Sequence, residues 1–284
     1  MHRRQFLISS LAAAAGAAVA RELRAAAPAA LRFGHRQANM VTDPGPAVFD
    51  LAKQIHGLSG VELQVYFKGT TLCDAATLAP YKSAAARTGL TIPSIAGIWP
   101  PGASLLDKSA EENLRNAIRA AQSLGAVTIL AACFEQNCPK MDREESYGPV
   151  VTLLQKVSAA ARDAGVTIAM ETSLTPSEDK QLMGLVDRPN IRVYYDLDNV
   201  DRYHPGTALP GIAVLKSLIR QVHLKNEDRL LEQPGRIDWA AAAKGLAAIG
   251  YSGWFFFETS HSGPQQCVQA TEQNIAFITR NFAA

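Results

Sequence analysis

Residues 109–132 read SAEENLRNAIRAAQSLGAVTILAA, and they contain the unit from which the chain is built. Leu114, Ala117, Ile118, Ala121 and Leu124 recur at helical spacing and fall on one face. Gly125 then supplies a stop, because it takes a left-handed backbone conformation at a helix C-terminus without a side-chain penalty. Directly after it, 127–132 is a short apolar run of the kind that makes a buried strand. The unit is amphipathic helix, glycine, buried strand.

The same beat extends in both directions. Strands are predicted at 31–37, 61–67, 91–97, 127–132, 166–171, 191–196, 219–225 and 254–258, with Gly57, Gly89, Gly165 and Gly250 as further stops. Eight strand–helix units in about 250 residues, with no Gly/Ser linker, predict an α/β fold: a single (β/α)8 TIM barrel over 31–282. An open doubly wound sheet would carry a glycine-rich turn after its first strand. Here that position reads Phe33-Gly34-His35-Arg36-Gln37-Ala38-Asn39, which has no such fingerprint.

Composition narrows the function classes. With 48% hydrophobic and 19% charged residues in 284, the chain is neither disordered, collagen-like nor a coiled coil. Ahead of the barrel, His2, Arg3 and Arg4 precede an apolar, Ala-rich run from Leu7 to Ala20 that ends in Ala18-Val19-Ala20. The run is too short to span a bilayer core, which needs about 20 apolar residues. Residues 1–20 are therefore expected to be a cleaved signal peptide. Arg3-Arg4-Gln5-Phe6-Leu7 resembles the twin-arginine signal, which implies the twin-arginine export machinery as a partner and the bacterial periplasm as the destination. Without Arg3 and Arg4 the 28 Lys plus Arg fall to 26, equal to Asp plus Glu. A neutral mature chain with no basic run predicts no nucleic-acid partner and no membrane insertion after cleavage. Four cysteines do not make a disulfide framework, and the spacing of Cys133 and Cys138 leaves their pairing open.

In a barrel of this kind chemistry sits at the carboxyl ends of the strands. Four successive predicted strands end in a metal-ligand type: Glu171, Asp196, His223 and Glu258. Each follows apolar or β-branched residues. Three carboxylates and a histidine buried together need a shared cation or protons. Three oxygen donors and one imidazole suit Mn²⁺ first, with Mg²⁺, Co²⁺ or Zn²⁺ as alternatives. Further candidates for substrate contact are Glu62 inside the second strand, His35 and Arg36 at the end of the first, Trp99 in Trp99-Pro-Pro-Gly102, and Lys225, two residues after His223 on the same face. Asp238 reads as a helix N-cap.

The run His223-Leu-Lys-Asn-Glu-Asp-Arg229, Gly235-Arg-Ile-Asp-Trp239 and Gly250-Tyr-Ser-Gly-Trp254 to Glu258 resembles the xylose-isomerase-like TIM-barrel superfamily, the sugar phosphate isomerases and epimerases. Val193-Tyr-Tyr-Asp-Leu-Asp-Asn199 is similar to its sixth-strand motif. The resemblance implies Glu171, Asp196, His223 and Glu258 as metal ligands, with Glu171 and Glu258 doubling as base and acid on opposite faces of the substrate. It also implies substrate contact by Arg229. The chain departs from the epimerase branch at Asn199, where a histidine is usual, and asparagine binds a hydroxyl but relays no proton. A second carboxylate soon after Glu171 is represented only by Glu178. The DNA-repair endonuclease of the same superfamily needs more histidines than His35, His56, His204, His223 and His261 supply.

The expected activity is isomerisation or epimerisation by proton abstraction beside a carbonyl. An unphosphorylated sugar or glycoside is the expected substrate, since no glycine-rich phosphate loop follows the seventh strand. Two alternatives stand beside it. One is a metal-dependent lyase or hydratase that expels a β-substituent from a keto-sugar or 3-keto-glycoside. The other is a non-catalytic periplasmic sugar-binding barrel.

Overall fold

The computed structural model describes residues 31–40 and 43–284, so the expected signal peptide lies outside the described residues. Ten strands are described: β1 Arg32–Arg36, β2 Leu58–Gln64, β3 Tyr66–Phe67, β4 Thr70–Thr71, β5 Thr91–Ala96, β6 Thr128–Cys133, β7 Thr167–Thr172, β8 Ile191–Asp196, β9 Ile219–Leu224 and β10 Trp254–Phe257. Eight of them close into a parallel barrel in the order β1-β10-β9-β8-β7-β6-β5-β2. The pair β3–β4 is a small antiparallel hairpin after β2. Residues Leu31–Ala284 make one unit.

Strand alternation sorts the side chains into two cores. Residues of one parity (Phe33, Val61, Ile95, Ile129, Ile168, Val193, Val222 and Phe255) join the large cluster between sheet and helices. The other parity fills the barrel itself with Ala96, Leu130, Ala169, Tyr194 and Phe256, small beside large. The helix Ala110–Leu124 buries Leu114, Ala117, Ile118, Ala121 and Leu124, the face read from its spacing, and Gly125 ends it at φ 76°.

Gly34 on β1 leaves the space that Phe256 occupies. A Cβ there would stand 2.3 Å from a ring carbon of Phe256. Gly34→Ala therefore overpacks the barrel, an error that typically costs about 1–3 kcal/mol. Its thermal midpoint should fall by about 2–4 °C per kcal/mol for a chain of this size. An unchanged midpoint in thermal unfolding followed by circular dichroism would show that the interior relaxes around the methyl.

Candidate metal centre

The parity that fills the barrel also delivers its chemistry. Glu171 is the penultimate residue of β7, Asp196 the last of β8, His223 the penultimate of β9, and Glu258 the first after β10. These strands are neighbours, and one ligand atom from each of the four residues lies within 4.8 Å of the others. His223 Nδ1 stands 3.6 Å from Glu171 Oε1, 3.5 Å from Asp196 Oδ2 and 3.7 Å from Glu258 Oε2. Ligands about 2.1 Å from one ion at tetrahedral angles are separated by about 3.4 Å. The three distances from His223 Nδ1 are only slightly longer than that.

Charge and hydrogen bonding point the same way. Among the described residues, Glu62, Glu171, Asp196 and Glu258 meet only Arg36 and Lys225 as permanent cations, which leaves the two negative charges that a divalent ion balances. Glu62 Oε1, Arg36 Nε and both ring nitrogens of His223 are buried without a hydrogen-bond partner. So many orphaned polar atoms around one point are costly unless something binds there. Without an ion the imidazole takes up the role. Burial disfavours its charge, but Glu171, Asp196 and Glu62 outweigh this and raise His223 to about 10. Asp196 shows the converse balance: burial pushes its carboxyl up, while Lys225 and His223 hold it well below the ordinary range. The residues present fit a divalent cation.

The surrounding groups fix this cluster in place. Asp196 caps the helix Leu197–Tyr203, its Oδ1 accepting the Asn199 backbone N–H at 2.9 Å. That turn aims the Asn199 side chain, whose Nδ2 donates to Glu171 Oε1 at 2.9 Å and whose Oδ1 accepts from Lys225 Nζ at 3.0 Å. Lys225 Nζ also stands 2.7 Å from Asp196 Oδ2 and 2.9 Å from Glu258 Oε2. Arg36 Nη1 pairs with Glu258 Oε1. Glu62 is wholly buried beneath His223, with Oε1 3.5 Å from Nε2. Its Oε2 accepts from Ser94 Oγ at 2.7 Å and Tyr194 Oη at 2.9 Å. Burial raises the Glu62 carboxyl, but His223, Arg36 and Ser94 together bring it below the usual range.

Not every candidate residue converges. His35 was expected to reach the substrate; it has the opposite parity from Arg36, is wholly buried and packs tilted against Phe257 outside the barrel. Arg229 donates from Nη1 to Pro234 O at 2.8 Å and pairs with Glu227 at 3.0 Å, so it braces its own loop. Trp99 donates from Nε1 to Ala132 O at 2.8 Å and lines a hollow with Tyr66 and Pro101. Glu178 closes a capping box with Thr175 instead of supplying a second carboxylate to the site. Asp238 caps its helix as expected. Cys133 and Cys138 are buried free thiols with their sulfurs 3.5 Å apart. Tyr194 and Ser94 were missed. Tyr194 is two residues before Asp196, and strand period alone would have placed it on the same face.

Known proteins give a consistent picture. No match by sequence emerged among curated proteins. The fold is similar to apo 3-keto-D-glucoside 4-epimerase from E. coli, at TM-score 0.71 and 15% identity, covering 88% of this chain and 100% of that one. D-allulose 3-epimerase from Methylomonas sp. in complex with D-allulose gives 0.71 and 17%, covering 89% and 98%. A xylose isomerase-like TIM barrel protein from Mycobacterium smegmatis in complex with magnesium gives 0.66 and 16%, covering 89% and 98%. At these identities the likeness speaks for the fold. The family model described as "Xylose isomerase-like TIM barrel" matches residues 49–281. With a closed eight-stranded barrel and ligand-type residues at four neighbouring strand ends, the chain belongs to the xylose isomerase-like TIM-barrel family.

Proposed function

We propose that this chain is a divalent-metal-dependent isomerase or epimerase that moves a proton beside a carbonyl of an unphosphorylated sugar or glycoside. The observation that carries this reading is the convergence of Glu171, Asp196, His223 and Glu258 to within 4.8 Å at the carboxyl end of the barrel. A divalent ion bound there would polarise the substrate carbonyl and acidify the neighbouring carbon-bound hydrogen. Glu171 takes that proton, its carboxylate aimed by the Asn199 amide and free of any lysine or arginine partner. Glu258, at the end of β10, three places from β7 in the barrel, and tied to Arg36 and Lys225, returns a proton from the other side. Arg36 and Lys225 are placed to hold the oxygens on which negative charge develops. Trp99 offers a ring against which a sugar can stack.

Incubation of the Mn²⁺-loaded protein with keto-sugars and keto-glycosides in D₂O, read by mass spectrometry, tests the proposal. A named action of one fold neighbour on 3-keto-D-glucoside supports including glycosides. An intact product carrying one solvent deuteron is the expected result. One observation favours a second reading: Asn199 holds Glu171 but relays no proton. A lyase would release the β-substituent as a separate fragment. Neither product would leave only the sugar-binding reading.

Glu62 is the residue that orients His223 from behind. Such outer partners of a ligating histidine typically contribute 10–100-fold in metal affinity. Glu62→Gln should therefore weaken Mn²⁺ binding by about that factor in a chelator-competition titration. Wild-type affinity would assign Glu62 to packing alone. The periplasm is the proposed compartment, on the strength of Arg3-Arg4-Gln5-Phe6-Leu7 and the apolar run after it. Retention in the cytoplasm of a host lacking the twin-arginine translocase is the expected fractionation result.

A further inference from the structure

On the outer side of β1, away from the carboxylates, lies a second group of ligating atoms. His35, which points out of the barrel, faces His261 on the loop after β10 and Cys267 in the first turn of the helix Pro264–Phe282. The two Nε2 atoms are 3.3 Å apart, and Cys267 Sγ is 4.0 Å from His35 Nε2. All three ligand atoms lie within 4.8 Å of one another. We propose that His35, His261 and Cys267 form a second metal site, of borderline-soft type, that takes Zn²⁺ and joins the first strand to the last helix.

Three observations support it. The spacing is right, since nitrogens about 2.0–2.1 Å from a tetrahedral zinc are themselves about 3.3–3.4 Å apart. The tautomer is right as well: the backbone oxygen of Arg36, 3.2 Å from His35 Nδ1, can only accept, so Nδ1 carries the proton and the Nε2 lone pair faces the cluster. Access exists, because His261 lines a cavity of about 490 Å³ with Asn39, Ser260 and Gly263, while His35 and Cys267 are sealed behind it. Thr259 Oγ1, 3.0 Å from His261 Nε2, stands beside the fourth position. On binding, the Cys267 thiol loses its proton to solvent and the sulfur takes up the metal; no electron changes hands.

The donor sets distinguish the two centres. The barrel-mouth cluster has oxygen and imidazole donors only, whereas this one offers a cysteine sulfur. The full chain titrated with Co²⁺ should show near-ultraviolet thiolate-to-cobalt charge transfer and bind two equivalents. Cys267→Ser and His261→Gln should each abolish the band and reduce the stoichiometry to one. His261 is half-buried on a loop, so its variant folds even if the buried Cys267 position tolerates no change. His223→Ala should keep the band while losing the other equivalent, so failure of one centre is separable from failure of the other. Absence of the band at saturating Co²⁺, or its survival in Cys267→Ser through Cys73, Cys133 or Cys138, overturns the proposal. The pair would then be a hydrogen bond between two neutral imidazoles.

Discussion

Glu171→Gln is expected to slow solvent-deuterium exchange into a keto-sugar by about 10²–10⁴-fold, the span typical of removing a positioned acid–base group. Glutamine keeps the shape of glutamate and a side-chain oxygen for the Asn199 amide, now 2.9 Å from Glu171 Oε1. What it lacks is the capacity to accept a proton. The loss should appear in kcat at saturating Mn²⁺, with KM little changed, because Arg36 and Lys225, the proposed contacts to the substrate's oxygens, are untouched. Exchange at the wild-type rate would move the base to another residue. Glu258 is the obvious candidate, although Arg36 and Lys225 both neutralise it.

His223→Ala carries a different signature. It removes the nitrogen around which Glu171, Asp196 and Glu258 are arranged at 3.5–3.7 Å. The barrel-mouth metal equivalent should disappear from the dialysed protein, and turnover with it. The metal-free variant should also unfold more easily. Glu62 is wholly buried, and His223 is one of the few charges that compensate it. Removing one partner of a buried ion pair typically costs about 3–5 kcal/mol. Metal analysis and urea unfolding check the two effects separately. A His223→Ala protein with full metal content and full turnover would exclude a centre built on these four strand ends.

Local pattern foretold much of this architecture, and its failures have physical causes. Helix faces and glycine stops are properties of adjacent residues, so the alternation of 109–132 extended to the whole barrel. The second strand shows the limit. Expected at 61–67, it runs Leu58–Gln64. Gly60 reads as a breaker in sequence, yet in the barrel its missing side chain admits Trp254 and Pro93, and a Cβ would lie 2.8 Å from the Trp254 ring. That contact joins residues nearly two hundred positions apart, which no local pattern encodes. The apolar residues after Gln64 continue into the hairpin instead, which turns at Lys68 and Gly69, both at positive φ.

The site divides along the same line. Glu171, Asp196, His223 and Glu258 were legible because each terminates an apolar run, a feature local to its strand. Arg36 and His35 are adjacent in sequence but opposite in direction. Choosing between them required knowing where β1 begins, since a shift of one residue exchanges the two faces. Arg229 was placed by resemblance to a motif, and its loop folds so that the guanidinium is spent on Pro234 and Glu227. Asn199 could be read as a hydroxyl-binding amide. That it spans Glu171 and Lys225 emerges only once the Asp196 cap sets the helix turn.

Asp196 has a consequence for how the molecule breathes. One of its oxygens holds the Asn199 backbone N–H while the other faces Lys225 Nζ at 2.7 Å and His223 Nδ1 at 3.5 Å, where an ion would bind. Whatever pins the second oxygen must also slow the opening of the turn that the first one closes. The amide hydrogen of Asn199 is thereby a clock for occupancy: its exchange with solvent should lengthen as the centre fills, legible even for ions that absorb no light and carry no spin. Local folding and ligand capture here draw on a single carboxylate.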